Sequence, residues 1–280
     1  MNAFVKQLEN IVKLSEQPAA EGDFYGEDGL LRCGKCGERK QTRTTISLPG
    51  KEPITITPGV ACACRKAQYE WIVAKQKIEK LRSVSMMDLN AFEHTFGGLT
   101  ITQHNERAIR IAKRYVERFD QMYENNQGLL FYGPPGTGKT HLATCIANAL
   151  LEKQVNVVMT TFIRIAKIGL MRNDDDSVLM GNVINAQLLI IDDLGAERGT
   201  EFAQEQVYSF IDKRNEKRKP TIITTNLSME QLKKPDALQQ QRIYDRILQR
   251  SFPVEIAGPS WRKKEAGARY YDMKKLLEED

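Results

Sequence analysis

Residues 133–140 read Gly-Pro-Pro-Gly-Thr-Gly-Lys-Thr, completing the pattern G-x-x-x-x-G-K-[ST] between a strand-like run and a helix-like run. A turn of this composition suits nucleoside phosphates. Gly133, Gly136 and Gly138 let backbone N–H groups curl around the phosphates, Lys139 reaches the β/γ-phosphates, and the Thr140 hydroxyl holds Mg²⁺. The run Gly128-Leu129-Leu130-Phe131-Tyr132 reads as a buried strand, and the segment from His141 to Ala147 as a helix whose N-terminus faces the anion. A Gly-Pro-rich surface turn is the competing reading, and the flanking strand and helix weigh against it. The expected ATP- or GTP-contacting set is Gly133, Pro134, Pro135, Gly136, Thr137, Gly138, Lys139, Thr140 and His141, joined by Asp192.

The 280 residues suffice for one substantial α/β domain and a small satellite. Lys6, Glu9 and Lys13 interrupt the apolar positions of residues 1–14, so neither a secretory signal nor a membrane span is expected, and a cytoplasmic location follows. The net charge of +5 favours a polyanionic partner only mildly, because it is spread over the chain.

The spacing predicts an amphipathic helix over residues 1–15, with Phe4, Leu8, Ile11 and Val12 on one side. Thr44-Thr45-Ile46-Ser47-Leu48 and Ile54-Thr55-Ile56-Thr57 read as strands joined around Pro49-Gly50, and residues 65–83 as a charged helix. A boundary is expected near 83–90, giving a module over residues 1–85 and a nucleotide-binding domain over residues 88–280. From there a helix at 103–124 precedes strands at 128–132, 155–161, 188–192, 221–225 and 253–256, with helical segments between them. That alternation predicts a parallel sheet covered on both faces.

Leu188-Leu189-Ile190-Ile191-Asp192-Asp193 is an apolar strand ending in two carboxylates. Asp192 is expected to hold the Mg²⁺ shell and Asp193 to orient or deprotonate the attacking water; capping of the next helix is the alternative. Asn226, which ends Thr221-Ile222-Ile223-Thr224-Thr225-Asn226, either contacts the γ-phosphate or that water, or forms a turn. Arg242 and Arg246 lie four apart on one helix face, which by itself reads as a solvated basic face paired with Asp245.

Four of the five cysteines gather early as Cys33-x2-Cys36 and Cys62-x1-Cys64. Gly34 and Gly37 suit a tight knuckle, and four thiolates satisfy tetrahedral Zn²⁺. The second pair is tighter than C-x-x-C, which leaves open whether both Cys62 and Cys64 ligate. Cys145 reads as core packing.

The segments GPPGTGKTHLA, LLIIDDLGAE, IITTNLS and RIYDRI, in this order, resemble the AAA+ ATPases, and within them the DnaC/DnaI-type replicative helicase loaders and the related IstB-type helper ATPases. The resemblance covers about residues 88–270. It implies Lys139 and Thr140 as the Walker A pair, Asp192 and Asp193 as the Walker B pair, Asn226 as sensor 1, and Arg262 as sensor 2. It makes Arg246, ahead of Arg242, an arginine finger acting on a neighbouring subunit. Many AAA+ members carry Glu where this chain has Asp193. The segment from Phe162 to Arg172 mixes an aromatic with cations, where the family carries DNA-facing helices; the alternative is an ordinary surface helix.

The resulting expectation is an α/β AAA+ P-loop ATPase domain with a central parallel sheet, preceded by a zinc-binding, helicase-gripping module. Such a protein uses ATP, Mg²⁺ and Zn²⁺, assembles as an ATP-dependent homo-oligomer, and has a replicative helicase and single-stranded DNA as partners. An IstB-like transposition helper and a nucleotide-regulated scaffold with little hydrolysis are the alternatives.

Overall fold

A computed structural model describes residues 19–47, 49–50, 52–170, 174–195, 201–235 and 237–278. It divides into two compact units, Met1–Gln76 and Lys77–Asp280. The helix expected over residues 1–15 and the residue Arg172 lie outside the described residues.

In the first unit, short strands pair locally. β1 (Phe24–Tyr25) and β2 (Leu31–Arg32) are antiparallel, with Tyr25 opposite Leu31. β3 (Thr44–Ile46) and β4 (Ile54–Ile56) form an antiparallel hairpin around Pro49-Gly50, with Thr44 opposite Ile56. Among the described residues its buried apolar side chains are Leu30, Leu31, Cys33 and Cys62. A core of that size needs a further constraint to hold together. One is a buried ion pair: the Lys40 ammonium donates to Asp23, whose carboxylate also accepts the N–H groups of Ala20 at 2.8 Å and Gly34 at 3.2 Å. Lys40 first, then those donors, draw the Asp23 pKa down to about 2. α1 (Ala63–Val84) starts beside Cys62, and its first N–H, from Ala63, donates to Glu38 Oε2 at 2.6 Å.

The second unit opens with 3₁₀ turns at Leu89–Glu93 and Phe96–Gly98. Where one helix was expected over residues 103–124, two occur, α2 (Glu106–Glu117) and α3 (Phe119–Glu124). Arg118, at φ −107° and ψ 26°, leaves helical geometry between them, and Phe119 enters the core at 4% exposure. Then follow β5 (Gly128–Tyr132), α4 (Lys139–Glu152), β6 (Val157–Thr161), α5 (Phe162–Leu170), α6 (Asp174–Asn185), β7 (Leu188–Leu194), α7 (Glu201–Glu216), β8 (Thr221–Thr225), α8 (Met229–Lys233), α9 (Leu238–Arg250), β9 (Ser251–Glu255) and α10 (Trp261–Glu278).

These five strands make one parallel sheet in the order β6-β7-β8-β5-β9. A parallel sheet buried on both faces needs apolar side chains on both, and the two-residue strand period supplies them. On β5, Leu129 and Phe131 join one cluster with Ile109 of α2 and Ile146 of α4. Leu130 joins the other, with Phe162 of α5, Phe210 of α7 and Ile243 of α9. On β7, Leu188 and Ile190 pack to the first cluster while Leu189 and Ile191 pack to the second. The architecture is the expected α/β fold with a central parallel sheet covered on both faces.

Phe162 is 1% exposed in the second cluster, because it follows β6 directly and turns inward, so for this residue the alternative of an ordinary surface helix with apolar packing holds; Arg164 and Lys167 of the same helix face solvent. Arg214, a cation in the last turn of α7, is also 1% exposed. Its guanidinium donates to the carbonyls of Ile184 at 2.8 Å, Ala186 at 2.6 Å and Pro220 at 2.9 Å, and more loosely to Thr221 Oγ1 at 3.4 Å. It thereby ties the end of α6 to the start of β8. Burial lowers its pKa to about 9.

Candidate nucleotide site and cysteine cluster

The loop between β5 and α4 takes its shape from backbone conformations that side chains disfavour. Gly133, Gly136 and Gly138 have φ of 136°, 82° and 97°. At Gly133 a Cβ would also meet the Ile256 carbonyl oxygen at 2.4 Å, so β9 packs against the loop at a distance that only glycine permits. Thr137 Oγ1 donates to the Pro134 carbonyl at 2.9 Å. Lys139, 6% exposed, donates to the carbonyls of Gly133 at 2.8 Å and Pro134 at 2.7 Å. Its pKa is lowered chiefly by burial, with Asp193 and Asp192 opposing the shift and Arg262 adding to it. A buried ammonium held only by neutral carbonyls, at the start of a helix, fits an incoming phosphate.

The carboxylates at the end of β7 are fixed by hydroxyls. Thr140 Oγ1 donates to Asp192 Oδ1 at 2.9 Å. Thr224 Oγ1 donates to the same oxygen at 2.5 Å and accepts the Asp193 N–H at 3.0 Å. Asp193 has φ of 62°, and the pairing of β7 with β8 shifts register between Ile191 and Leu194. This irregularity turns consecutive carboxylates to different tasks: Asp192 faces Thr140, whereas Asp193 accepts from Asn226 Nδ2 at 3.0 Å.

A cavity of about 340 Å³ gathers Lys139, Thr140, Asp192, Asp193, Asn226 and Arg262. Arg262 stands in the first turn of α10, which is held to the loop by the Trp261 N–H donating to the Gly136 carbonyl at 2.9 Å. An adjoining, more apolar cavity of about 250 Å³ is walled by Leu99, Ile109, Leu142, Ile256 and Trp261. The polar cavity around Lys139 thus adjoins one with the apolar walls that a nucleoside needs. His141 lines both cavities and stacks on His94 with ring centroids 4.1 Å apart and planes 16° apart. Burial, then His94, lowers the His141 pKa.

Arg246 and Arg242 are not among the residues lining either cavity of their own chain. Arg246 pairs with Asp212 Oδ1 at 2.7 Å, donates to Tyr208 Oη at 3.2 Å, and lies over that ring at 5.5 Å. Arg242 is exposed. Thr224, His94 and Trp261 had been given no part in the site. Thr224, within β8, enters the site through the pairing of β8 with β7, which no local pattern carries; His94 lies too far along the chain from the loop for sequence proximity to reveal it.

In the first unit, the ligand atoms of Cys33, Cys36, Cys62 and Cys64 all lie within 4.8 Å of one another. Cys64 Sγ is 3.4 Å from Cys33 Sγ and 3.3 Å from Cys62 Sγ. Zn–S bonds of about 2.3 Å put the sulfurs of a tetrahedron on the order of 3.8 Å apart, so a cluster that includes both sulfurs of the tighter pair fits Zn²⁺. Backbone N–H groups of Cys36 and Lys35 aimed at Cys33 lower its pKa to about 6, whereas the neighbouring thiols push Cys64 up to about 12. The knuckle is compact: a Cβ on Gly34 would meet the Gly22 carbonyl oxygen at 2.0 Å.

The family described as IstB-like ATP binding protein matches residues 74–268. The replicative helicase loader DnaC of Escherichia coli K12 is 33% identical over 168 residues, 58% of this chain and 66% of that protein. The match therefore spans just under two thirds of that relative's length. The phage-like element PBSX protein XkdC of Bacillus subtilis strain 168 is 30% identical over 247 residues, 83% of this chain and 84% of that protein. Among solved structures, the crystal structure of DnaI superimposes with a TM-score of 0.52 at 26% identity, covering 62% of this chain and 94% of that one. No helix among the described residues is long and apolar enough to cross a membrane.

Proposed function

The chain belongs to the IstB-like ATP-binding protein family, and on that premise we propose that it is an ATP-dependent loader of a replicative DNA helicase. The carrying observation is its similarity to the helicase loader DnaC in a chain whose Thr140, Asp192, Asp193 and Asn226 are joined by hydrogen bonds around the Lys139 cavity. Family and fold together support ATPase activity.

ATP supplies the γ-phosphoryl group that is transferred to water. Lys139 exchanges two neutral carbonyls for the β/γ-phosphates, a gain because charged acceptors bind it more strongly. Thr140 and Asp192 would hold Mg²⁺, their existing hydrogen bond giving way to shared coordination. Asp193 takes the proton of the attacking water, and Asn226 orients that water and the carboxylate together. Arg262 faces charge developing at the γ-phosphate from its own chain. Arg246, with Arg242 beside it, does so from a neighbouring subunit, which makes assembly and hydrolysis interdependent. His141, beside Thr140, borders the nucleotide.

Residues 1–85 serve as a zinc-bound module that grips the helicase, and residues 88–280 as the ATPase module that surrounds single-stranded DNA in an ATP-dependent homo-oligomer. Exposed Arg164 and Lys167 supply phosphate-binding cations on α5. Hydrolysis is slow, because Asp193 is a shorter base than Glu, and single-stranded DNA stimulates it. Capture by the full-length protein from purified helicase and purified transposase, with ATP turnover measured with and without single-stranded DNA, tests this reading. Helicase capture with stimulated turnover supports it. Transposase capture alone selects a transposition helper, and nucleotide binding without turnover selects a regulated scaffold.

A further inference from the structure

A second concavity in the ATPase unit, about 450 Å³, lies between α2, α3 and the edge strand β9, away from the nucleotide. Ile111, Met122, Leu129 and Phe252 line it, with Phe252 47% exposed, and the Arg114 and Arg118 side chains also border it. Among the described residues no carboxylate lines it. An apolar groove with two exposed cations calls for a short apolar segment that carries acids.

This chain holds such a segment. α10 has no buried residue along its length, and near its end Leu276 and Leu277 are 76% and 75% exposed. The sequence there reads Leu276-Leu277-Glu278-Glu279-Asp280. Glu278 makes only a loose 3.8 Å contact with Lys274, with both side chains exposed, which costs little to exchange. We infer that the end of α10 of one copy docks in the α2/α3/β9 groove of a second copy, Leu276 and Leu277 on the apolar floor and the acids against Arg114 and Arg118. Burial of two leucines supplies the affinity, and the charge pattern sets direction and register. The contact goes beyond the nucleotide-driven assembly proposed above, since no groove residue lines the phosphate cavity.

A benzophenone side chain installed at Leu277 of the full chain tests it. Irradiation is expected to join two chains, with the adduct on peptides containing Met122 or Phe252, and to do so equally in a Lys139→Ala background. Arg114→Glu with Arg118→Glu should lower the yield by roughly tenfold or more, as should Glu278→Lys with Glu279→Lys and Asp280→Lys. Mixing the two charge-reversed proteins should restore it. An adduct confined to one chain, an adduct elsewhere, no adduct, or a yield indifferent to charge reversal and mixing would overturn the inference. Failure here leaves the loader reading standing, and loss of the cross-link in Lys139→Ala would show instead that the contact depends on nucleotide.

Discussion

Thr224 Oγ1 lies 2.5 Å from Asp192 Oδ1, so a hydroxyl on β8 fixes the carboxylate that Thr140 of the phosphate loop also reaches. The same hydroxyl accepts the Asp193 N–H. One side chain thus sets both acids, and its removal should be felt in chemistry more than in binding. Thr224→Val, which keeps shape and removes the hydroxyl, is expected to retain ATP affinity and to lower turnover by about 10- to 100-fold, the usual range for a group that orients a ligand. Equilibrium nucleotide binding beside steady-state hydrolysis checks this; a loss of binding with unchanged turnover per bound nucleotide would refute it.

Lys139→Ala should abolish or severely weaken nucleotide binding, since it removes the cation aimed at the phosphates and leaves the loop backbone intact. Asp193→Asn should bind normally and lose hydrolysis, because an amide cannot take the proton of water. Undiminished affinity in a folded Lys139→Ala protein, or unchanged turnover in Asp193→Asn, would remove the corresponding role.

Arg246→Ala should bind ATP and fold, because its half-exposed pair with Asp212 contributes only about 0–1 kcal/mol. It should fail in ATP-dependent assembly or in DNA-stimulated hydrolysis. Mixing it with Lys139→Ala subunits should recover activity, since each supplies what the other lacks. No recovery at any ratio, with both proteins folded and associating, would contradict action across subunits.

Elemental analysis should find about one Zn²⁺ per chain, because four thiolates close a site in a unit whose described core is small. Cys64→Ser should lower zinc retention, given that its sulfur lies within 3.4 Å of two others. Gly34→Ala should do the same through the close approach to Gly22 rather than through a ligand. A metal-free protein with a fully folded first unit would reject the zinc site.

Arg214→Lys should destabilise the ATPase unit by about 1–3 kcal/mol, because a single ammonium cannot reach the carbonyls of Ile184, Ala186 and Pro220 together and leaves buried acceptors unpaired. Chemical denaturation followed by the signal of the second unit measures it; no change would mean that water replaces the guanidinium.

What the sequence revealed follows physical locality. The phosphate loop, the apolar strands and the double acid are contiguous patterns, and the fold and ligand chemistry could be read from them. The second cysteine pair looked too tight by spacing alone, yet Cys62 just ahead of α1 and Cys64 in its first turn bring both sulfurs to the cluster. Phe162 was left between two readings because it stands at a strand-to-helix junction, where neither the two-residue nor the 3.6-residue period says which way a side chain points. The burial of Arg214 was not legible because a charged residue is ordinarily solvated, and only carbonyls from the end of α6 and the start of β8 together make it tolerable. Thr224 and His94 join the site through sheet register and tertiary packing, which no local pattern carries.

Transfer of a purified replicative helicase onto a closed circle of single-stranded DNA tests the loader reading most directly. Full-length protein with ATP should leave helicase stably on the circle, Lys139→Ala should not, and a truncation lacking residues 1–85 should bind the DNA without bringing helicase. Helicase that neither binds the protein nor reaches the circle, while a transposase or its DNA complex is retained under the same conditions, would contradict the loader role.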